Sequence, residues 1–158
     1  MNDLEKSGKA LGRLASGLFI LTARFGDRED AILVSWVNQC SFEPLTVSVA
    51  LAKSRPARLL VEASNSFSLN ILGTDSNGLL KRFSKPPAAG TDVFEGLDIR
   101  RGALGLAVLN DAVSHLECEV IQQVPVGDHV LYVGKVVDGD LLQGGEPYVH
   151  VRNSGLTY

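Results

Sequence analysis

Between Ala31 and Ala52 the side chains alternate in character with period two, interrupted only where Glu43-Pro44 would turn the chain. In the first stretch, Ala31 to Phe42, one face carries Ile32, Val34, Trp36, Cys40 and Phe42, with Asn38 its one polar member. The other face carries Leu33, Ser35, Val37, Gln39 and Ser41. In the second stretch Leu45, Val47, Val49 and Leu51 oppose Thr46, Ser48, Ala50 and Ala52. Successive Cβ atoms of an extended chain point to opposite sides, so this period is the signature of strands. Two such runs in succession require a sheet with one apolar face buried and one face of small and polar groups.

The rest of the chain reads in the same way. The i, i+3, i+4, i+7 spacing of Leu11, Leu14, Ala15 and Leu18 predicts a short helix over Leu4 to Ser16 with one buried stripe. Phe19 to Ala23 reads as a strand, and Gly26 to Asp30 as a polar turn. Arg55 to Ala63 reads as a helix with Pro56 in its first turn. A strand over Phe67 to Leu72 and a helix over Asn77 to Ser84 follow, the helix ended by Pro86-Pro87. Lys85 to Gly96 is a long loop, with short strand signals at Leu97 to Arg100 and Gly105 to Leu109. Val113 to Val124 and His129 to Val137 form a hairpin across Pro125 to Asp128, and Tyr148 to Val151 carries a last strand signal. No regular helices separate the strands, which excludes a doubly wound parallel sheet. The expected fold is mostly β: an antiparallel barrel with peripheral short α-helices, built as one domain over residues 1–158.

Composition narrows the function classes. Fifteen Lys and Arg against 18 Asp and Glu give a formal net charge of −3, so an overall basic footprint for nucleic acid is missing. Cys40 and Cys118 are too few for a disulfide scaffold or a four-cysteine zinc site, and both are expected as small buried thiols on apolar strand faces. No apolar run reaches the roughly 18 residues of a membrane span. The opening Met1-Asn2-Asp3-Leu4-Glu5-Lys6 is too polar for a signal peptide. A cytoplasmic protein is the expectation.

The segment Ala52-Lys53-Ser54-Arg55-Pro56-Ala57-Arg58 gathers three cations where a strand gives way to a helix. A helix N-terminus carries partial positive charge and unpaired N–H groups, so cations there break a local rule. A bound phosphate would resolve the conflict; charges directed into water are the alternative. The small and polar face of Ser35, Gln39, Ser41, Ser48 and Ala52 leads into this cluster, and together they suit a flat, partly polar molecule with a phosphate tail, such as a nucleotide or flavin mononucleotide. No G-x-G-x-x-G, P-loop, G-x-S-x-G, C-x-x-C or H-E-x-x-H motif occurs. His115, His129 and His150 are too scattered for a metal site.

Beyond these physical cues, the run from Ser35 to Ser54 resembles the flavin-binding stretch of the flavin reductase-like family, the FMN-binding split-barrel proteins. Leu11 to Ala23, Phe67 to Leu72, Phe83, Phe94-Glu95-Gly96, Leu116 to Val120 and Gly127-Asp128-His129 continue the likeness in order along nearly the whole chain. Within that family the chain is similar to the flavin reductase modules of cyanobacterial flavodiiron proteins and the flavin domain of high-molecular-weight rubredoxins. Two departures stand out. Pro44-Leu45 replaces a frequent proline pair, and Tyr148-Val149-His150-Val151-Arg152 is looser than the family's Tyr-x-His-Arg run, so no role carries over to His150.

The resemblance implies a split β-barrel homodimer that binds FMN near the subunit interface and transfers hydride from NADH or NADPH to the flavin. By position, Ser35, Trp36, Val37, Gln39, Cys40 and Ser41 would line the ring and ribityl chain. Ala52, Lys53, Ser54 and Arg58 would hold the phosphate, Phe83 would flank the ring, and His129 would face the nicotinamide. No catalytic acid or base and no metal is implied. Electrons would go to an acceptor protein, free flavin or oxygen. Two other readings stay open at this point: an FMN-carrying electron-transfer protein reduced by another enzyme, and a split barrel that holds haem or pyridoxal phosphate.

Overall fold

The computed structural model describes residues 1–158. In chain order the elements are α1 (Asp3–Leu11), β1 (Phe19–Phe25), β2 (Arg28–Val34), β3 (Val37–Phe42), β4 (Leu45–Ala52), α2 (Ala57–Ser64), β5 (Ser66–Ile71) and α3 (Asn77–Phe83). Then come β6 (Ile99–Arg101), β7 (Ala107–Leu109), β8 (Ser114–Val126) and β9 (His129–Leu141). Seven strands form one sheet in the order β2-β1-β5-β8-β9-β4-β3, while β6 and β7 pair as a separate ribbon. Every pairing is antiparallel. The expected fold class is therefore the observed one, with the detail that the barrel is open. Its edge strands β2 and β3 are consecutive in the chain and do not pair with each other.

The sheet curls around a core. Leu21, Ile32, Val34, Val49, Leu51, Phe67, Leu69, Val130 and Tyr132 meet in one buried cluster with Ala57 and Val61 of α2, so this helix plugs the interior. On the outer side of β1 and β2 a second cluster joins Ile20 and Ala31 to Leu79 and Phe83 of α3, Phe94 of the following loop, and Ala107 and Leu109 of β7. Strand β1 is thus covered on both faces, which is why Phe19 to Ala23 lacks polar alternation.

Several boundaries differ from the sequence expectation. The strand expected over Ala31 to Phe42 is two strands, and the residues between them, Ser35 and Trp36, turn the chain. Strand β2 begins at Arg28, because the turn before it needs only Gly26, at φ 63°, and Asp27. Helix α1 stops at Leu11 with its C-cap at Gly12, so Leu14 never joins a helical stripe. Leu11 is 48% and Leu14 68% exposed, and only Leu18 of the expected stripe enters the core. The β8–β9 hairpin is longer than expected. Pro125 pairs opposite Val130, and the turn is Gly127-Asp128, with Gly127 at φ 58°. Near the end of the chain two isolated bridges, Gly73 to Pro147 and Ser16 to His150, stand in place of a strand. Cys118 is buried as expected, and burial, followed by the Glu117 charge, pushes its thiol up to about 12. Cys40 is instead exposed, because β3 is an edge strand whose outer face nothing covers.

A strip of buried polar side chains docks the β6–β7 ribbon onto the sheet. Thr22 Oγ1 donates to the Ala107 carbonyl at 2.8 Å, and Asn70 accepts from Leu109 N–H at 2.8 Å while donating to the Ile20 carbonyl at 3.1 Å. Glu117, fully buried, accepts from Leu104 N–H at 2.7 Å. Its other oxygen lies where a Cβ at Gly102 would stand. Gly102→Ala is therefore expected to lower stability by about 1–3 kcal/mol, the usual cost of overpacking. Gly78→Ala, in the exposed first turn of α3 with nothing within 4 Å of its added methyl, should be neutral or stabilising. Urea unfolding of the two variants reads the contrast.

Candidate functional site

The turn at Ser35-Trp36 builds the site. Val34 and Val37 both point into the barrel core although they are three residues apart, a spacing that in a continuous strand would send them to opposite sides. Val37 pairs with Val49 and points inward with it. The intervening backbone is fixed by Val37 N–H donating to the Ser35 carbonyl and Ala50 N–H donating to the Trp36 carbonyl, each at 3.1 Å. Beside this turn lies a cleft of about 800 Å³. Its walls come from β2, β4, the start of α2, the end of α3 with Ser84 to Pro87, and the segment after Tyr148.

Of the residues singled out from sequence, Ser35, Trp36, Ala52, Ser54 and Phe83 line this cleft. Val37, Gln39, Cys40 and Ser41 do not. The turn reverses the parity of β3, which takes Val37 into the core and leaves Gln39 and Cys40 exposed on the sheet edge. Lys53 is exposed, and its N–H donates to the Asp128 carbonyl at 2.9 Å. Arg58 also lies away from the cleft lining: Nη1 bonds Glu62 Oε1 at 2.7 Å, and Nη2 donates to the Lys53 carbonyl at 3.4 Å. The same Glu62 oxygen accepts from the hydroxyl of the buried Tyr132 at 2.7 Å. Burial, then the bond to Glu62, pushes that phenol up to about 12 and keeps it a donor. The three side chains pin α2 to β9.

The cleft also gathers residues that sequence reasoning left out of the site. Arg55, Lys85 and Arg152 bring positive charge against one carboxylate, Asp30. Burial raises the Asp30 carboxyl, opposed by the Ala31 N–H and the Arg55 charge. Tyr148, His150 and Tyr158 complete the rim. Arg55 belongs to the cation cluster already visible in the sequence. Arg152 and Tyr158 are brought here only by tertiary structure, through the Ser16–His150 bridge and Arg152 N–H donating to the Gly12 carbonyl at 3.1 Å. The start of α2 has no acidic residue in its first turn and no side-chain cap, so its N-terminal dipole faces Ser54 and Arg55 unopposed.

His129 is not among the residues that line the cleft, but it packs on Trp36, which is. Their ring centroids are 4.7 Å apart with planes tilted by 35°. Asp128 Oδ1 lies 2.7 Å from His129 Nδ1, and this hydrogen bond holds the Asp128 carboxyl below the usual range. Tyr158 packs on Trp36 with centroids 5.3 Å apart, and its hydroxyl bonds His129 Nε2. The Arg152 guanidinium sits 5.3 Å from the Trp36 ring centroid, a cation–π arrangement.

The two arginines that flank the α2 start should behave differently on substitution. Arg58→Ala removes an ion pair whose partner Glu62 also holds Tyr132, and is expected to cost about 1–2 kcal/mol of stability. Arg55→Ala removes a cleft-lining charge without an ion-pair partner and should stay within about 0.5 kcal/mol of the parent. Denaturant midpoints of the two variants measure the difference.

Comparison with known proteins places the chain. Residues 11–155 match the flavin reductase like domain. Diflavin flavoprotein A 3 of Nostoc sp. is 40% identical over 156 residues, 95% of this chain and 26% of that one. Diflavin flavoprotein A 1 of Synechocystis sp. is 38% identical over 159 residues, 99% of this chain and 27% of that one. The chain thus spans about a quarter of the length of the curated relatives it matches. Among solved structures, the styrene monooxygenase flavin reductase of Pseudomonas putida superposes with TM-score 0.78 at 26% identity, covering 90% of this chain and 91% of that one. A homologue of nitrilotriacetate monooxygenase component B from Mycobacterium thermoresistibile has the same fold, with TM-score 0.84 at 24% identity over 92% of this chain and 80% of that one. With the match running from α1 to the segment beyond His150, the chain belongs to the flavin reductase-like domain family.

Proposed function

We propose that this chain is an NADH- or NADPH-dependent flavin reductase that holds FMN in the cleft beside Trp36. When bound, the flavin supplies the redox chemistry, accepting hydride from the pyridine nucleotide and passing electrons to a protein, free flavin or oxygen. The observation that carries the reading is the composition of the cleft. Aromatic walls at Trp36 and Phe83 accompany a polar end at Ser54 and Arg55, beside the uncapped start of α2. These groups suit a flat ring and a terminal phosphate respectively, which favours FMN over FAD. Ser54, Arg55 and the helix amides would take the phosphate. Lys85 and Arg152 add positive charge to the same cleft, of the sign that stabilises an electron-rich ring. Ser35 and Trp36 would set the depth of the ring through their backbone, and His129, packed on Trp36, would face the nicotinamide.

The same reading makes the chain a cytoplasmic homodimer. Both cysteines are free, in keeping with a reducing compartment. Edge strand β3 and the start of β4 expose Phe42 at 89% and Leu45 at 47%, an apolar edge that a second copy would cover. The second reading, an FMN-carrying electron-transfer module reduced by another enzyme, draws support from relatives about four times as long that are named diflavin flavoproteins.

The purified protein is expected to release FMN, identified by mass, on heating, and its flavin spectrum should bleach on anaerobic addition of NADH or NADPH. Bound flavin that neither nucleotide bleaches would favour the carrier reading, and absence of flavin uptake would end both. Arg55→Ala should weaken FMN binding by about tenfold to a hundredfold, the loss of one charge-assisted contact to phosphate. Sedimentation at micromolar concentration should give a dimer, and a monomer with full flavin affinity would contradict the assembly.

A further inference from the structure

We infer that Tyr158 is an internal gate on the His129 side of the cleft, holding the place that the nicotinamide ring must take; this rests on the flavin reductase reading above. Asp128 is acceptor-only when ionised, so the 2.7 Å contact fixes the His129 proton on Nδ1. In the neutral imidazole Nε2 then carries a lone pair, to which the Tyr158 hydroxyl donates. His129 is thereby oriented by one neighbour and capped by another, and its side chain is only 12% exposed.

The two caps differ in how they are held. Asp128 belongs to the tight turn of the β8–β9 hairpin, and its carbonyl accepts from Lys53 N–H, so it is built into the sheet. Tyr158 arrives on a segment without regular secondary structure after the Ser16–His150 bridge. Backbone bonds from Arg152 N–H to the Gly12 carbonyl and from Gly155 N–H to the Gly8 carbonyl tie the start of that segment to α1. Beyond Gly155 it is held locally, by Arg152 Nη1 donating to the Thr157 carbonyl at 3.1 Å and by Leu156 N–H donating to Ser154 Oγ at 3.1 Å. The Tyr158 residue is 73% exposed although it touches both Trp36 and His129. An aromatic ring with one hydroxyl donor, stacked against Trp36 and bonded to His129, offers the same two interactions that a nicotinamide would make through its ring and the N–H of its carboxamide. Withdrawal of Tyr158 exposes the Nε2 lone pair, already oriented by Asp128, to such a donor. A ligand that must displace a resident group binds more weakly by the fraction of time the site is open.

The test is calorimetric titration of the FMN-loaded full chain with oxidised nicotinamide mononucleotide, which carries the ring and carboxamide without redox turnover. Tyr158→Ala is expected to tighten binding by about five- to a hundredfold, the change that corresponds to one neutral hydrogen bond and an aromatic contact. Tyr158→Phe keeps the ring, loses the donor, and should tighten binding by less. Unchanged or weaker binding in Tyr158→Ala overturns the gate, since removing a competitor cannot lower affinity. Failure of the parent chain to take up FMN would instead overturn the flavin reductase reading, and the gate with it. Tyr158→Phe also guards against a Tyr158→Ala effect caused by loss of tail packing, because it retains the ring contact with Trp36. If the two variants tighten binding equally, the hydroxyl alone is the gate and ring competition is wrong.

Discussion

The hydrogen bond from Ala50 N–H to the Trp36 carbonyl, with that from Val37 N–H to Ser35, fixes the point on which the site depends. A strand that ran straight from Ala31 to Phe42 would send Val34 and Val37 to opposite faces. The turn lets both reach the core, so Ser35 and Trp36 face the cleft at no cost in apolar burial. It also separates the two edges of the sheet. Because β2 and β3 are joined by two residues but do not pair, the barrel stays open beside Trp36, and the cleft lies at that opening.

The second wall depends on α2, a helix of eight residues that would not be stable alone. Ala57 and Val61 bury one face in the barrel, and the Tyr132–Glu62–Arg58 cluster locks the other to β9. Arg58 therefore holds the helix whose start presents Ser54 and Arg55 to the cleft. Positioning by Arg58 and lining by Arg55 divide a cation cluster that looks uniform in sequence.

How much was legible in the sequence follows from range. Strands β4 and β9 and helices α2 and α3 show in local periodicity because each buries one clear face, and β5 shows because its apolar residues still alternate with small and polar ones although both its faces are buried. The cation cluster is visible because it violates the helix dipole over seven consecutive residues. The split of the strand at Ser35-Trp36 was hidden, since neither residue is Gly or Pro and the alternation continues through it. The exposure of Leu11 and Leu14 was hidden as well, because the helix stops at Gly12 against the segment near Arg152. Arg152 and Tyr158 could not be read locally at all. They reach the site through contacts more than 130 residues away in sequence, the bridge to Ser16 and the backbone bonds to Gly12 and Gly8. The family likeness covers these regions but its looser match at His150 falls on the same segment.

Trp36 is the only tryptophan in the chain, so its emission reports on the site alone. The most direct measurement is titration of the flavin-free protein with FMN while following that emission. Saturable quenching with one FMN per chain is expected, shifted to higher FMN concentration in parallel with flavin uptake when Arg55 is replaced by Ala. Tight FMN binding that leaves Trp36 emission unchanged would place the flavin elsewhere and contradict the site built here.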